Sequence, residues 1–164
     1  MSSKFTSRTP WRQKLERHQQ AKVVDIPPNM QQRWGKGTMV IPRPLDVDEL
    51  IRQVRQGKLV TVLQLREEPA KRSRVDVACP LTTGIFVRIA AEAAEEDRRA
   101  GAKAPTPYWR VLSSQGGLNP KFPGGVAAQK RRLSAEGHKI SKPKGNKPPA
   151  VIDFEKSLTQ FSSN

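Results

Sequence analysis

Cys79–Gly101 reads CPLTTGIFVRIAAEAAEEDRRAG, and the way this stretch folds decides the rest. Cys79-Pro80 opens it, and Thr82 or Thr83 can cap it. Ile85, Phe86, Ile89, Ala90 and Ala93 or Ala94 recur at helical spacing. Arg98 and Arg99 suit the negative end of a helix, and Gly101 ends it. Gly84 in the first turn leaves the backbone bare, so another chain can approach closely there.

Working back from this helix, KRSR (Lys71–Arg74) is a basic loop. Before it, LVTVLQL (Leu59–Leu65) leads into a brief helical stretch that Pro69 interrupts. Earlier still, Asp46 caps the helix DVDELIRQVRQG. Its apolar stripe is Val47, Leu50, Ile51 and Val54, and Gly57 stops it. IPRPL (Ile41–Leu45) enters that helix extended, because a residue before proline avoids the helical region.

Working forward, PYWRVLSSQGGL (Pro107–Leu118) reads as an extended segment with a turn, a small β wing. After NPKFPGG (Asn119–Gly125), VAAQKRRLSAEG predicts a last helix. Val126, Leu133 and the alanines lie on one side of it, and Lys130, Arg131 and Arg132 on the other. A helix, a short helix, a basic turn, a longer helix and a hairpin form the order of a winged helix-turn-helix. The expected fold is therefore mainly α, with basic extensions.

The 164 residues carry a formal charge of +15, with 35% apolar and 5% aromatic residues. So little apolar matter predicts a core shorter than the chain. Such a charge favours polyanionic partners. Residues 1–37 hold eight Lys/Arg against two Asp/Glu, and residues 138–164 hold five against two. Residues 1–37 read as a basic extension, partly ordered because Trp11, Leu15, Val23, Val24, Ile26, Met30 and Trp34 are costly to leave in water. Residues 38–140 read as the folded domain. Residues 141–164 read as a flexible basic tail, since SKPKGNKPPA (Ser141–Ala150) cannot fold by itself.

Cys79 is the only cysteine and there are two histidines, so neither an internal disulfide nor a zinc cluster is expected. MSSKFTSRTPWRQK has no apolar core of a secretory signal, and no run is long enough to span a membrane. A cytoplasmic, nucleoid-associated monomer without metal or organic cofactor is the expectation.

PYWRVL followed by GGLNPKFPGGVAAQKRRLSAEGH resembles the C-terminal domain of alkylguanine-DNA alkyltransferases and of the catalytically inert alkyltransferase-like proteins. Pro107, Arg110 and Val111, a Gly-Gly loop, a glutamine in the last helix and Glu136-Gly137-His138 carry the likeness, which spans roughly residues 45–140. The family's active-site run is Pro-Cys-His-Arg-Val. Tyr108 stands at its cysteine and Trp109 at its histidine. Glu136 matches the glutamate that holds that histidine. Val62 and Thr83 stand where the family has residues that help turn a nucleotide out of the duplex. A phenol with pKa near 10 is a far weaker nucleophile than a thiolate. The resemblance thus implies a non-enzymatic protein that binds duplex DNA, with other repair proteins as further partners.

Tyr108 and Trp109 have two readings, packed core or a base-sized pocket with Pro107, Arg110 and Glu136 around it. In the second, the Tyr O–H and Trp N–H read the edge of an extruded base. Thr82, Thr83, Gly84, Val87 and Arg88 are the expected groove-facing residues. Lys71, Arg72, Arg74, Lys130 and Arg131 are the expected phosphate contacts, with Arg132 beside them. Glu92–Asp97 would repel phosphates, which confines insertion to the first two turns. Two alternatives stay open: an RNA- or ribosome-associated basic protein, and an enzyme of altered chemistry using Cys79 or Tyr108.

Overall fold

A computed structural model describes residues 9–17 and 20–161. In chain order the first half holds α1 (Trp11–Leu15), β1 (Lys22–Asp25), α2 (Pro28–Trp34), β2 (Thr38–Ile41) and α3 (Pro44–Arg52). The second half holds β3 (Val60–Thr61), α4 (Val62–Ser73), β4 (Val77–Ala78), α5 (Pro80–Arg99), β5 (Val111–Leu112) and α6 (Gly125–Ala135).

The quoted stretch is α5, and the other helices gather on it. Its buried row includes Phe86, Val87, Ala90, Ala91, Ala93 and Ala94. Alanines let neighbouring backbones come close, and α1, α3 and α4 all pack there. Leu15, Val47, Leu50, Ile51, Leu65 and Tyr108 join the same cluster. Each leucine-sized side chain taken fully out of water contributes about 1.5–3 kcal/mol.

The helix starts differ from expectation in instructive ways. Cys79, not a threonine, precedes α5; the Thr82 and Thr83 hydroxyls each donate back to the Cys79 carbonyl at 3.1 Å. Asp46 lies inside α3, which begins at Pro44. One Asp46 carboxylate oxygen accepts the Arg43 backbone N–H at 2.8 Å, and the other accepts the Arg43 guanidinium. Pro44 fits the first turn because its missing N–H would have no intrahelical partner. α4 runs straight through Pro69 to Ser73. A reciprocal cap between Thr61 and Gln64 starts it, and burial of Leu65, Pro69 and Ala70 outweighs the lost ladder bond.

The strands form two small sheets. One has the order β1-β2-β4, antiparallel then parallel; in the other, β3 and β5 run parallel. Among the described residues the expected wing is therefore not a hairpin. Tyr108–Arg110 is a 3-10 turn, β5 pairs with the segment that leads into α4, and Gly117 bridges to Ala150.

That last bridge corrects the flexible-tail expectation for residues 141–161. The chain folds back: Ile140 pairs with Val151 and Leu59 with Leu158. Val151 is buried with Leu59, Leu112, Leu118 and Leu133, and Phe154 and Leu158 close the cluster. Gly116 (φ +84°) makes room for this, because a Cβ there would clash with the Phe154 ring. The N-terminal segment is likewise integrated. Leu15 and Ile26 are buried and Trp11, Met30 and Trp34 half-buried, but Val23 and Val24 on the edge strand β1 stay exposed. Residues 1–8, within the predicted extension, lie outside the described residues, as do residues 162–164 of the predicted tail.

Candidate nucleic-acid interface

α5 buries one side and shows the other. Thr83 and Val87, expected to face a groove, are buried at 1% and 2% exposure. The exposed face of the first turns is instead Leu81, Gly84, Ile85 and Arg88. Thr82 is half-buried, with its hydroxyl committed to Cys79. Sequence reasoning placed Ile85 on the inner stripe. The true inner row keeps Phe86 and Ala90 but is rotated by about a quarter turn, towards Thr83 and Val87. Thr83, a small residue whose hydroxyl can turn back to the backbone, was the signal for that phase.

Three of the four acids in Glu92–Asp97 are engaged within the protein. Glu95 is buried; its carboxylate accepts from Tyr108 Oη at 2.6 Å, Arg98 Nε at 2.8 Å and Arg132 Nη2 at 2.9 Å. Glu96 accepts the backbone N–H of Arg12 at 2.8 Å, and Asp97 pairs with the Arg12 guanidinium. These carboxylates fasten α1, α6 and the aromatic turn to α5. Burial alone would raise the Glu95 carboxyl. The hydrogen bonds from Tyr108 and Arg98 and the charge of Arg132 outweigh it and hold the group below its ordinary value.

Tyr108 is packed into the core, and Trp109 lies at its edge. Tyr108 is 3% exposed, edge-on to Trp109 and to Phe122, with ring centroids 5.6 and 5.4 Å away. Burial first, and then the bond to Glu95, push its phenol well above its ordinary value. Such a phenol holds its proton at neutral pH. Trp109 is half-buried. Its Nε1 donates to Glu136 at 3.2 Å, and the Arg132 guanidinium carbon lies 4.4 Å from its ring centroid. Both polar handles expected to read a base are thus already used.

Arg110 joins the same network. Its Nε donates to Glu136 at 2.8 Å and its Nη1 to the Val54 carbonyl at 2.6 Å. Gln129, not singled out from sequence beyond its place in the motif, is a buried anchor of this region. Its amide donates to the carbonyls of Trp109 and Val111 and accepts from the Asn119 N–H. Pro107 is buried.

A recess of about 340 Å³ does exist beside Trp109 and Glu136, edged by Arg98, Lys103 and Arg132. Tyr108 does not line it. The recess meets α5 at Arg98, at the C-terminal end of the helix and about 25 Å along the axis from Leu81 at 1.5 Å per residue. The expected single site, pocket beside groove-facing turns, is two separate places.

The predicted phosphate contacts divide as well. Arg72 donates to Glu68 at 3.1 Å and Arg132 is held by Glu95. Lys71, Arg74, Arg88, Lys130 and Arg131 are exposed and make no ion pair within 4 Å among the described residues. Lys71 and Arg74 close α4, and the chain passes from Arg74 through β4 directly into α5. Arg74 itself holds the left-handed conformation (φ 55°) that ends the helix. No cluster of metal-ligating side chains occurs among the described residues, and no helix there is long and apolar enough to cross a membrane.

No protein-family model matches the chain, and no curated protein does. Among solved structures it is similar to S. pombe Atl1, crystallised in complex with damaged DNA containing O6-carboxymethylguanine. The two share 16% identity over 71% of this chain and 94% of the other, with a TM-score of 0.48. A likeness that loose carries no inference about what this chain binds.

Proposed function

We propose that the protein is a non-enzymatic duplex-DNA-binding protein, of the kind to which the alkyltransferase-like factors belong, and that it holds DNA without regard to alkylation. The observation that carries this is the charge arrangement. Lys71, Arg74, Arg88, Lys130 and Arg131 are exposed with no carboxylate within 4 Å among the described residues, and the first three lie on the end of α4 and the first turns of α5. The acids Glu95 and Asp97 are meanwhile neutralised by internal arginines. Free cations release counterions from phosphates on binding, whereas paired ones must first break their pair. Repair partners are part of the same proposal, since a chain that only holds DNA acts through what it recruits.

Two features support indifference to the lesion. The Tyr108 O–H and Trp109 N–H are bonded to Glu95 and Glu136, and the recess lies far from the first turns of α5. The raised Tyr108 phenol supports the absence of alkyl acceptance.

Fluorescence anisotropy on a 20-base-pair duplex tests this. Unmodified and O6-alkylguanine duplexes should bind within about twofold of each other, since no contact distinguishes them; a bidentate base contact, by comparison, discriminates by about 1–3 kcal/mol. A structured RNA should compete poorly. Preference for the alkylated duplex above tenfold would restore the base-pocket reading, and stronger competition by RNA would replace the DNA assignment.

A further inference from the structure

We infer that Leu81 and Ile85 are an apolar wedge that enters a base step of the bound duplex and opens its stack. This rests on the DNA-binding reading above and names how α5 touches bases.

Most large apolar side chains of the described residues are buried or half-buried. Leu81 is 69% exposed and Ile85 57%. They lie four residues apart, so they stand one above the other on the same face of α5. Gly84 lies beside them, and a Cβ added there would meet nothing within 4 Å, so the backbone can approach another molecule closely. Arg88 continues the face one turn beyond Ile85, while Lys71 and Arg74 stand at the end of α4 that feeds into α5. An apolar pair framed by unpaired cations complements a base stack framed by phosphates. It complements an apolar protein surface less well, because docking there would strand those cations against a low-polarity face.

Apart from Arg88, this face offers no side chain suited to reading base edges. Both threonine hydroxyls at the start of α5 donate to Cys79, and no amide or carboxylate side chain lies among Leu81, Gly84, Ile85 and Arg88. The side chains that stand out at the front of the face, Leu81 and Ile85, are aliphatic. Leucine and isoleucine wedges of this kind part neighbouring base pairs and kink the duplex, at an unstacking cost that is lowest at flexible pyrimidine–purine steps. The wedge therefore makes binding sensitive to the deformability of the step and not to a hydrogen-bond code.

The test uses the full chain and a 20-base-pair duplex carrying 2-aminopurine at a central TA step, with donor and acceptor dyes on the ends of a matched duplex. Binding should raise the 2-aminopurine emission several-fold and shorten the end-to-end distance. The variants Leu81→Ala and Ile85→Ala, both at exposed positions, should keep the wild-type melting temperature. Each should weaken binding about tenfold, the effect of losing one buried aliphatic side chain, and the double variant should abolish the emission rise. Anisotropy is followed in the same cuvette. Binding with a silent 2-aminopurine signal, or an emission rise that survives in the double variant, overturns the wedge and leaves the DNA-binding reading intact. No binding of any duplex overturns both.

Discussion

Replacing Glu95 with alanine is expected to destabilise the protein by about 3 kcal/mol at pH 7. The change strands the Tyr108 hydroxyl in the core and leaves the half-buried Arg132 without its partner. A buried donor left unsatisfied costs about 1–3 kcal/mol, and breaking a buried ion pair from one side costs about 3–5. The lower part of that range applies because Arg98, the other partner, is more than half exposed and can turn to water. Urea unfolding followed by tryptophan fluorescence measures it. A loss under about 1 kcal/mol would mean that Glu95 does not knit α5 to the aromatic turn and α6.

The same group has a pH signature. The Glu95 carboxyl is held below its ordinary value in the folded state, so its contribution is complete above the unfolded pKa of about 4.3. It is lost as the pH falls through the lower, folded value. The stability gap between the wild type and Glu95→Gln should therefore be full at pH 6–7 and close on acidification below about pH 4. A gap that widened with acid would contradict the assigned direction.

Raising the salt from 50 to 200 mM should weaken duplex binding about 500-fold. With about five phosphate contacts, one for each unpaired cation among Lys71, Arg74, Arg88, Lys130 and Arg131, the slope of log K against log salt is about −4.5. A slope near −1 would mean that most of these cations stay in solvent when DNA binds.

Local chemistry was legible in the sequence where one segment decides its own structure. The end of α5 at Arg99, the stripe of α3 and the last helix follow from periodicity and stop signals alone. Three things required partners distant in the chain. The phase of α5 was ambiguous because Ile85 and Phe86 are adjacent and both apolar. Packing by α1, α3 and α4 selected the face with Phe86 and left Ile85 in water. The segment after Ser141 looked disordered by composition. Val151, Phe154 and Leu158 find their partners in Leu59, Leu112, Leu118 and Leu133, which no local window contains. The acids of α5 read as a repulsive surface because their arginines lie 85 residues earlier at Arg12 and 37 later at Arg132.

The candidate site shows the same division. Nominating Arg88 and Arg74 needed only charge and position, and both are exposed cations beside the start of α5. Nominating Tyr108 as a pocket wall needed knowledge of Glu95 and Phe122, which enclose it. Arg110 and Glu136 were reached through the motif, and they form a half-buried ion pair at the edge of the recess.

The salt slope of the Arg74→Ala/Arg88→Ala double variant tests most directly whether the start of α5 grips phosphate. Each removed phosphate contact lowers the slope by about 0.9, so the double variant should read about −2.7 where the wild type reads about −4.5, with an unchanged melting temperature. A double variant whose slope equals that of the wild type would contradict the placement of DNA on this face.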